Sequence, residues 1–518
     1  MKPRPVAGVQ RHAADGLAEA KRLFLQAEFH KALSALGGFE ARNARERIEV
    51  ALLRARSFLR LDEAAAAVRE LEAVRRLPSS ADDRVLVSAL LGIAQISSDN
   101  SSGGERTLRE AAREASGTHR AARAELAYYS ALSRWMANDL DAAESALQPA
   151  LEDGPDFIRA RALELFGWIE ISRERYGVAG RHFLEGLSAL DDAKQVDVYL
   201  AAGMLQGASV VALETLDLAL WRSIKPRLAS LAGIEGAGRQ RAFFLQSGAM
   251  LWLLEGDTGH AWQSLSDAEH AATSPVQRAA IALDRAFLAR ITGDRFSREQ
   301  HLERAYQDLK REKWAVRTIE ERMGLLDFVR EASVDRANLA REASTRYFSS
   351  RERKNGTVSS GRDARVAAAE HHARGRLSVA LGDTKAARRE LRAALEAYGR
   401  LGYRMRQAIA GLDLHLTTRD AADLVIAAGA SRLVPKSWVA TEVRRREGAS
   451  DDPVSQLSAA ELRVLDQVKL AKTNRQIGKA LGLSHHTVNN HLRKIYAAFG
   501  VGSRAAVAVR CAEQKRVR

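Results

Sequence analysis

The sequence predicts an all-α protein with a long array of helical hairpins followed by a small four-helix bundle. Its 518 residues include only nine prolines and are rich in alanine, leucine, arginine and glutamate, which favour helix. Short turn signals recur roughly every 40 residues along most of the chain, a spacing typical of helical repeats. A stretch rich in Gly, Ser, Asp and Pro then precedes four closely spaced helix-start signals. No run of alternating β-branched residues indicates a sheet.

Length and composition indicate a multidomain protein of a reducing compartment. The chain is too long for one hydrophobic core. Cys511 is its only cysteine, so no intrachain disulfide can form. The first residues lack the apolar core of a signal peptide, and no stretch of about 18 apolar residues occurs. We therefore expect a cytoplasmic protein without a membrane span.

The positive charge is concentrated near the C-terminus. The formal net charge is +15, and residues 451–518 contain twelve Lys/Arg against five Asp/Glu. A basic segment of this kind favours a polyanionic partner, although a merely solvated basic surface has the same composition.

Hairpin turns divide the chain up to about residue 435. Each unit is predicted as a helix, a tight turn that often contains Gly-Asp or Asn-Asp, and a second helix that the aspartate caps. The segment VALGDTKAARRELRAALEAY (Val379–Tyr398) resembles a tetratricopeptide repeat, and the other units resemble it loosely. We therefore predict a tetratricopeptide-like α-solenoid over residues 1–435. The predicted turns lie at Glu28, Asp62, Asp99, Asp139, Tyr176, Asp217, Asp257, Asp294, Asp335 and Asp383.

The tryptophans of the array and two polar segments of the chain allow further predictions. We expect Trp135, Trp168 and Trp252 to pack between hairpins rather than to line a ligand pocket, although a solenoid does present a long concave surface. The polar, Gly/Ser-rich segment 346–365 predicts an exposed loop. Residues 436–456 are predicted as a linker.

The last 62 residues, 457–518, contain four helices with start signals of their own. Ser458 with Glu461 and Thr473 with Gln476 form capping-box patterns, and two further serines can cap the third and fourth helices. In the third helix the apolar residues recur at helical spacing and predict one buried stripe. These apolar residues are Val488, Leu492, Ile495 and Phe499.

The opposite face of the third helix carries amides and cations. Asn490 and Arg493 lie on it, Asn489 and Lys494 flank it, and no carboxylate occurs between Leu483 and Val501. The major groove of DNA admits one α-helix, where amides pair with adenine and arginine pairs with guanine. Carboxylates would repel the phosphates, so this face is suited to DNA.

The segment from Leu457 to Val509 resembles the LuxR-type helix-turn-helix domain of bacterial regulators. The resemblance covers about one eighth of the chain and implies four helices, with the third for recognition. It also implies palindromic double-stranded DNA sites, bound as a homodimer that the fourth helix mediates. The chain has Asn489 where the family usually has lysine, Ala471 where a glycine is usual, and Ala498 where lysine is frequent. The matching positions include Thr473-Asn474, Ile477, Ser484, Thr487-Val488, His491-Leu492, Ile495, Gly500-Val501 and Arg504.

From these residues we predict a DNA-binding transcriptional regulator that is controlled by a ligand or protein bound to the repeats. Asn489, Asn490 and Arg493 are predicted to contact bases. The predicted contacts to the DNA backbone come from Thr473, Asn474, Arg475, Ser484, Thr487, His491 and Lys494.

Other functional classes have weaker support in the sequence. No GxxxxGK[ST] phosphate loop occurs, no catalytic residue, metal site or cofactor is predicted, and Cys511 lacks the partners of a nucleophile. His371-His372 is interpreted as an exposed pair on a helix. The remaining alternative is a scaffold whose repeats gather partner proteins and whose C-terminal bundle only dimerises.

Overall fold

The computed structural model describes the chain in segments and is helical throughout them. The described residues are 7–193, 197–232, 238–311, 319–353, 364–418, 420–447, 454, 457–499, 501, 503–507 and 511. Within these ranges no β-strand occurs, so the all-α prediction is confirmed.

The helices, in chain order, are α1 (Ala7–Leu25), α2 (Phe29–Gly37), α3 (Ala44–Arg60), α4 (Ala64–Val74), α5 (Ala81–Ser97), α6 (Ser101–Glu114), α7 (Arg120–Met136), α8 (Leu140–Asp153), α9 (Asp156–Ser172), α10 (Tyr176–Asp192), α11 (Val198–Thr215), α12 (Leu218–Ala232), α13 (Gly238–Leu254), α14 (Thr258–Ala271), α15 (Pro275–Thr292), α16 (Arg295–Arg311), α17 (Ile319–Ala332), α18 (Ala337–Arg353), α19 (Ala364–Ala380), α20 (Thr384–Arg400), α21 (Arg404–Thr418), α22 (Ala421–Leu433), α23 (Trp438–Glu447), α24 (Ala459–Lys469), α25 (Asn474–Leu481) and α26 (His485–Phe499). A 3-10 turn, Ala115–Gly117, follows α6.

The helices belong to two compact units. The first consists of residues 1–211 and 220–244, and the second of residues 212–219 and 245–518. In each unit, consecutive helices pack in pairs as antiparallel hairpins, for example α9 with α10 in the first and α19 with α20 in the second. This is the stacking that a solenoid predicts.

Most hairpin turns contain one residue in the left-handed conformation. Between α7 and α8 this residue is Asn138, at φ 60°, and the following Asp139 caps α8 by accepting a hydrogen bond from the Ala142 N–H at 3.3 Å. Asp257 and Asp383 cap α14 and α20 in the same way. The prediction of aspartate-capped hairpins is confirmed at these turns.

Two of the predicted capping aspartates have a different role. Asp62 and Asp99 occupy the left-handed position themselves, at φ 61° and 67°. The residue after each of them is the N-cap of the next helix, and at α6 this residue, Asn100, caps the helix through its side chain. Short polar residues tolerate this conformation better than most, so each of these turns lies one residue later than predicted.

The three tryptophans contact either a neighbouring hairpin or the other helix of their own hairpin. Trp135 donates from its indole N–H to the Ser172 hydroxyl at 3.3 Å, which joins α7 to a helix of the next hairpin, as predicted. Trp168 instead packs edge-on against Phe183, and Trp252 stacks on His260. Each of those ring contacts lies within a single hairpin, so the prediction of packing between hairpins stays a prediction for Trp168 and Trp252.

Three other parts of the chain differ from what the sequence predicts. Helix α18 continues to Arg353, so the first residues of the predicted 346–365 loop are helical, while residues 354–363 lie outside the described ranges. Helix α23 lies inside the predicted linker and packs on α22. His372 is 2% exposed, and its ring nitrogen lies 3.0 Å from the Asp413 carboxylate. The prediction of an exposed histidine pair is therefore wrong.

Helix α11 is the one described helix whose length and apolar composition could cross a membrane. In it, 67% of the 18-residue window is buried inside the protein, which is the burial of a core helix.

Candidate nucleic-acid interface

The C-terminal bundle begins each helix with a side-chain cap. At α24 the Ser458 hydroxyl and the Glu461 carboxylate form a reciprocal capping box, and at α25 Thr473 and Gln476 form another. The Ser484 hydroxyl accepts from the Thr487 N–H at 3.1 Å at the start of α26. Ser503 accepts from the Ala506 N–H at 3.3 Å, and residues 504–507 are helical. The four helix starts therefore lie where the sequence signals predicted them.

The predicted apolar stripe of α26 is the core of the bundle. Val488, Leu492, Ile495 and Phe499 are at most 4% exposed and pack with side chains from α24 and α25. Helix α25 ends at Gly482, which adopts φ 67°, so the chain can reverse direction before α26. Burial of one stripe leaves the opposite face of α26 free to carry polar groups.

The three predicted base-contacting residues lie together on α26. Arg493 is exposed, while Asn489 and Asn490 are half-buried. The Asn489 carbonyl accepts from the Asn474 amide at 2.7 Å, and its amide lies 3.4 Å from the His485 ring nitrogen. The amide of Asn489 is thereby oriented by α25 before any DNA is present.

A polar chain links the turn before α25 to the start of the fourth helix. Arg504 donates to the Asn474 carbonyl oxygen at 2.9 Å and also to the Lys472 backbone carbonyl. Arg504 matches a family position in the sequence, but no role was predicted for it. In the structure it holds Asn474, which in turn orients Asn489. Thr473 and Arg475 remain exposed beside them.

Two of the predicted backbone contacts are buried within the protein. Thr487 is 4% exposed and its hydroxyl lies 2.7 Å from that of Ser484. His491 is 1% exposed, with its Nδ1 4.0 Å from the Glu461 carboxylate. A Cβ at Gly293, in the turn after α15, would collide with the His491 ring.

Glu461 has a second contact besides its role in the cap of α24. Its carboxylate also lies 3.3 Å from the Lys494 ammonium, on the side of α26 that contains no carboxylate of its own. Burial alone would raise the pKa of Glu461, but the neighbouring His491 and Ser458 and the charge of Lys494 lower that pKa to about 2. Glu461 is therefore ionised at neutral pH and holds Lys494. Its i+3 position after a serine signalled the cap, but nothing in the sequence signalled the contact with α26.

No group of three His, Cys, Asp or Glu side chains in the described part of the chain is placed to hold a metal ion. The chemistry available at this surface is hydrogen bonding and charge.

Comparisons with known proteins identify this bundle. Residues 455–511 match the family described as bacterial regulatory proteins, luxR family. The chain is also similar to the nitrate/nitrite response regulator protein NarP of Escherichia coli (strain K12), with 36% identity over 75 residues. That match covers 14% of this chain and 35% of the relative, so the chain spans about a third of the relative's length. The LuxR-type helix-turn-helix domain predicted from the sequence is confirmed.

Proposed function

We propose that this chain, which carries a LuxR-type domain at residues 455–511, is a bacterial transcriptional regulator that binds double-stranded DNA. The observation that supports it best is the face of α26. It presents the exposed Arg493 beside the half-buried Asn490, while its apolar stripe is buried. A similar response regulator among the relatives supports gene regulation as the role.

The base contacts are assigned to one face of α26. Arg493 can donate two hydrogen bonds to guanine, and Asn489 and Asn490 can pair with adenine. Asn474 and Arg504 orient Asn489, which restricts its amide to one direction. The pre-set orientation reduces the conformational entropy lost on binding.

The backbone contacts fall into two groups. Thr473, Asn474, Arg475 and Ser484 lie at the helix starts, where free N–H groups attract phosphate. Thr487, His491 and Lys494 complete the proposed set. Thr487 and His491 are buried, whereas Lys494 is exposed and pairs with Glu461. The proposal therefore includes a movement that exposes His491 on DNA.

The remaining chain would supply control. We propose that the repeats bind a ligand or protein effector, that two chains pair on DNA through the fourth helix, and that the protein acts in the cytoplasm without an enzymatic activity. Residues 508–510, which the sequence predicts as part of that helix, lie outside the described ranges.

The test is selection of genomic DNA fragments by the purified full chain and by residues 448–518. We expect one sequence class to be enriched, with affinity that falls about 10³-fold or more between about 50 and 200 mM salt as counterions are released. Retention that ignores salt, or no retention in dilute buffer by either protein, would contradict the proposal. A protein that dimerises but ignores DNA would instead be the scaffold that the sequence left open.

A further inference from the structure

A polar cavity lies between the second unit's repeats and the C-terminal bundle. Its volume is about 320 Å³, which suits a small metabolite. Helices α15, α17, α19, α21 and α23 line it from the repeats, and α24 and α26 line it from the bundle. Its cationic side chains are Arg290, Arg330, Arg376, Arg445, Arg446 and Lys494.

The carboxylates around the cavity already have cationic partners. Glu331 pairs with Arg290 at 2.7 Å and also with Arg298. Arg376 and His372 both face Asp413, at 3.2 and 3.0 Å.

The carboxylates that α23 and α24 contribute to the lining are paired in the same way. Glu442 pairs with Arg445 and Arg446, at 2.6 and 2.5 Å, and Glu461 pairs with Lys494. The lining thus contains six cations against four carboxylates, which leaves a positive excess in a partly desolvated space.

Some donors in the cavity have no protein acceptor. Among the described residues, Arg330 makes one side-chain hydrogen bond, from Nε to Asp327 at 3.4 Å, although its side chain is only 15% exposed. Arg376, with a side chain 10% exposed, makes one ion pair. The indole N–H of Trp438 is buried without a partner. Two largely buried guanidinium groups that line one space, each with donors left over, are typical of a carboxylate or phosphate site.

We propose that this cavity binds a small anion carrying a carboxylate or phosphate group, held by Arg330 and Arg376, and that the bound anion opposes DNA binding. The second half of this inference rests on the proposed function. The first half does not.

The coupling follows from which part of the protein supplies each wall. Ser458, Glu461 and Lys494 come from the bundle, so the complete cavity exists only while the bundle is docked on the repeats. In that docked arrangement His491 is buried at Gly293. A ligand that binds one arrangement shifts the equilibrium toward it, and the effect on the second ligand is reciprocal. Lys494 would also be shared between the anion and the DNA phosphates.

The site is tested by thermal unfolding of the full chain with sodium citrate, sodium phosphate, or sodium chloride at matched ionic strength. We expect citrate or phosphate to raise the unfolding midpoint progressively above the chloride control. Citrate alone would identify a carboxylate ligand, and phosphate alone a phosphate ligand.

Three variants locate the binding. Arg330→Gln should weaken the anion about tenfold or more, and Arg445→Gln several-fold. Arg445 is half-exposed, so its variant should fold even if Arg330→Gln does not. Arg444→Gln is the matched control, because Arg444 is exposed on the same helix and does not line the cavity. The site is disproved if neither probe exceeds chloride up to about 10 mM, or if Arg444→Gln weakens the anion as much as Arg445→Gln.

The coupling is tested on a selected DNA fragment. The anion that raises the midpoint should weaken DNA binding by the full chain beyond matched chloride, and Arg445→Gln should reduce this effect. An anion that binds without changing DNA affinity would overturn the coupling. If the chain binds no DNA at all, the proposed function fails, while the unfolding experiment still decides the anion site.

Discussion

At the scale of single residues, the recognition face depends on a few side chains whose environments differ sharply. Arg493 is exposed, whereas Asn489 is held by Asn474, which Arg504 holds in turn. Changes at Arg493 should therefore remove a base contact, while changes at Arg504 should act through the position of Asn489.

Arg493→Ala should reduce affinity for the selected DNA site by about 1–3 kcal/mol and relax the sequence preference at one base pair. The full chain and a competition assay against random DNA would measure both effects. Lys469→Ala is the control, because Lys469 is an exposed cation of the same domain that pairs with Asp466. An equal loss for both variants, with unchanged preference, would show a general charge effect.

Ala471 is a second informative residue. It adopts φ 56°, the left-handed conformation, in the turn before α25, where LuxR-type domains usually have glycine. Ala471→Gly should stabilise the chain by about 0.5–1 kcal/mol, because a side chain is strained in that conformation. Ala480→Gly, at an exposed helical position, should instead destabilise it by about 1 kcal/mol. Urea denaturation of both variants measures the difference, and the same sign for both would refute the account.

At the scale of elements, α15 and α17 each carry a buried carboxyl group, and the pKa values of the two groups are shifted in opposite directions. Asp284 of α15 accepts from the Gln246 amide at 2.6 Å, yet burial, together with the nearby Asp327 carboxylate, raises its pKa to about 7. On α17, burial alone would raise the pKa of Glu331, but Arg290, Arg298 and Arg330 lower it to about 2. Ionised Asp284 therefore destabilises the folded state, whereas ionised Glu331 stabilises it.

Asp284→Asn should stabilise the chain, and more so at higher pH. The folded pKa of Asp284 lies above the unfolded value, so folding retains a proton and the wild type loses stability as pH rises from about 4 to 7. The gain should be near zero at about pH 4 and on the order of 1–3 kcal/mol above about pH 7. Chemical denaturation at both pH values measures it.

The matched variant Glu331→Gln should have the opposite effect at neutral pH. It removes the carboxylate that pairs with both Arg290 and Arg298 in a largely buried cluster and leaves only Asp335 beside Arg298, which costs about 3–5 kcal/mol. A gain for Asp284→Asn that does not depend on pH would contradict the assigned ionisation.

At the scale of the whole molecule, the relation between the C-terminal bundle and the second unit's repeats determines what DNA can reach. Gly293 ends α15 at φ 80° and lies directly against the His491 ring. Arg463 of α24 is half-buried with Asp257 of the repeats nearby, and burial lowers its pKa. These contacts bury a residue that is proposed to touch DNA.

Gly293→Ala should weaken this docking and strengthen DNA binding by the full chain toward that of residues 448–518. Gly382→Ala is a closely matched control, because Gly382 also adopts φ 80° in a hairpin turn but has no atom near the position of a new Cβ. Both variants should lose a similar amount of stability from backbone strain. Equal DNA affinities for the two would show that the docked arrangement does not limit binding.

The local features of this protein follow from its sequence alone. The buried stripe from Val488 to Phe499 follows from helical periodicity, and the caps at Ser458 and Thr473 follow from short-range hydrogen bonding. The LuxR-type domain is recognisable because its determinants lie within about 60 neighbouring residues. These signals act over three or four positions, so the folded context changes them little.

The long-range features were decided only by the tertiary structure. The burial of His372 against Asp413, the contact of Glu461 with Lys494 and the packing of His491 on Gly293 join residues far apart in sequence. The cavity between repeats and bundle depends on the same kind of pairing. No periodic pattern specifies which charged side chain will meet which, because burial energy selects the partners only after the helices have stacked.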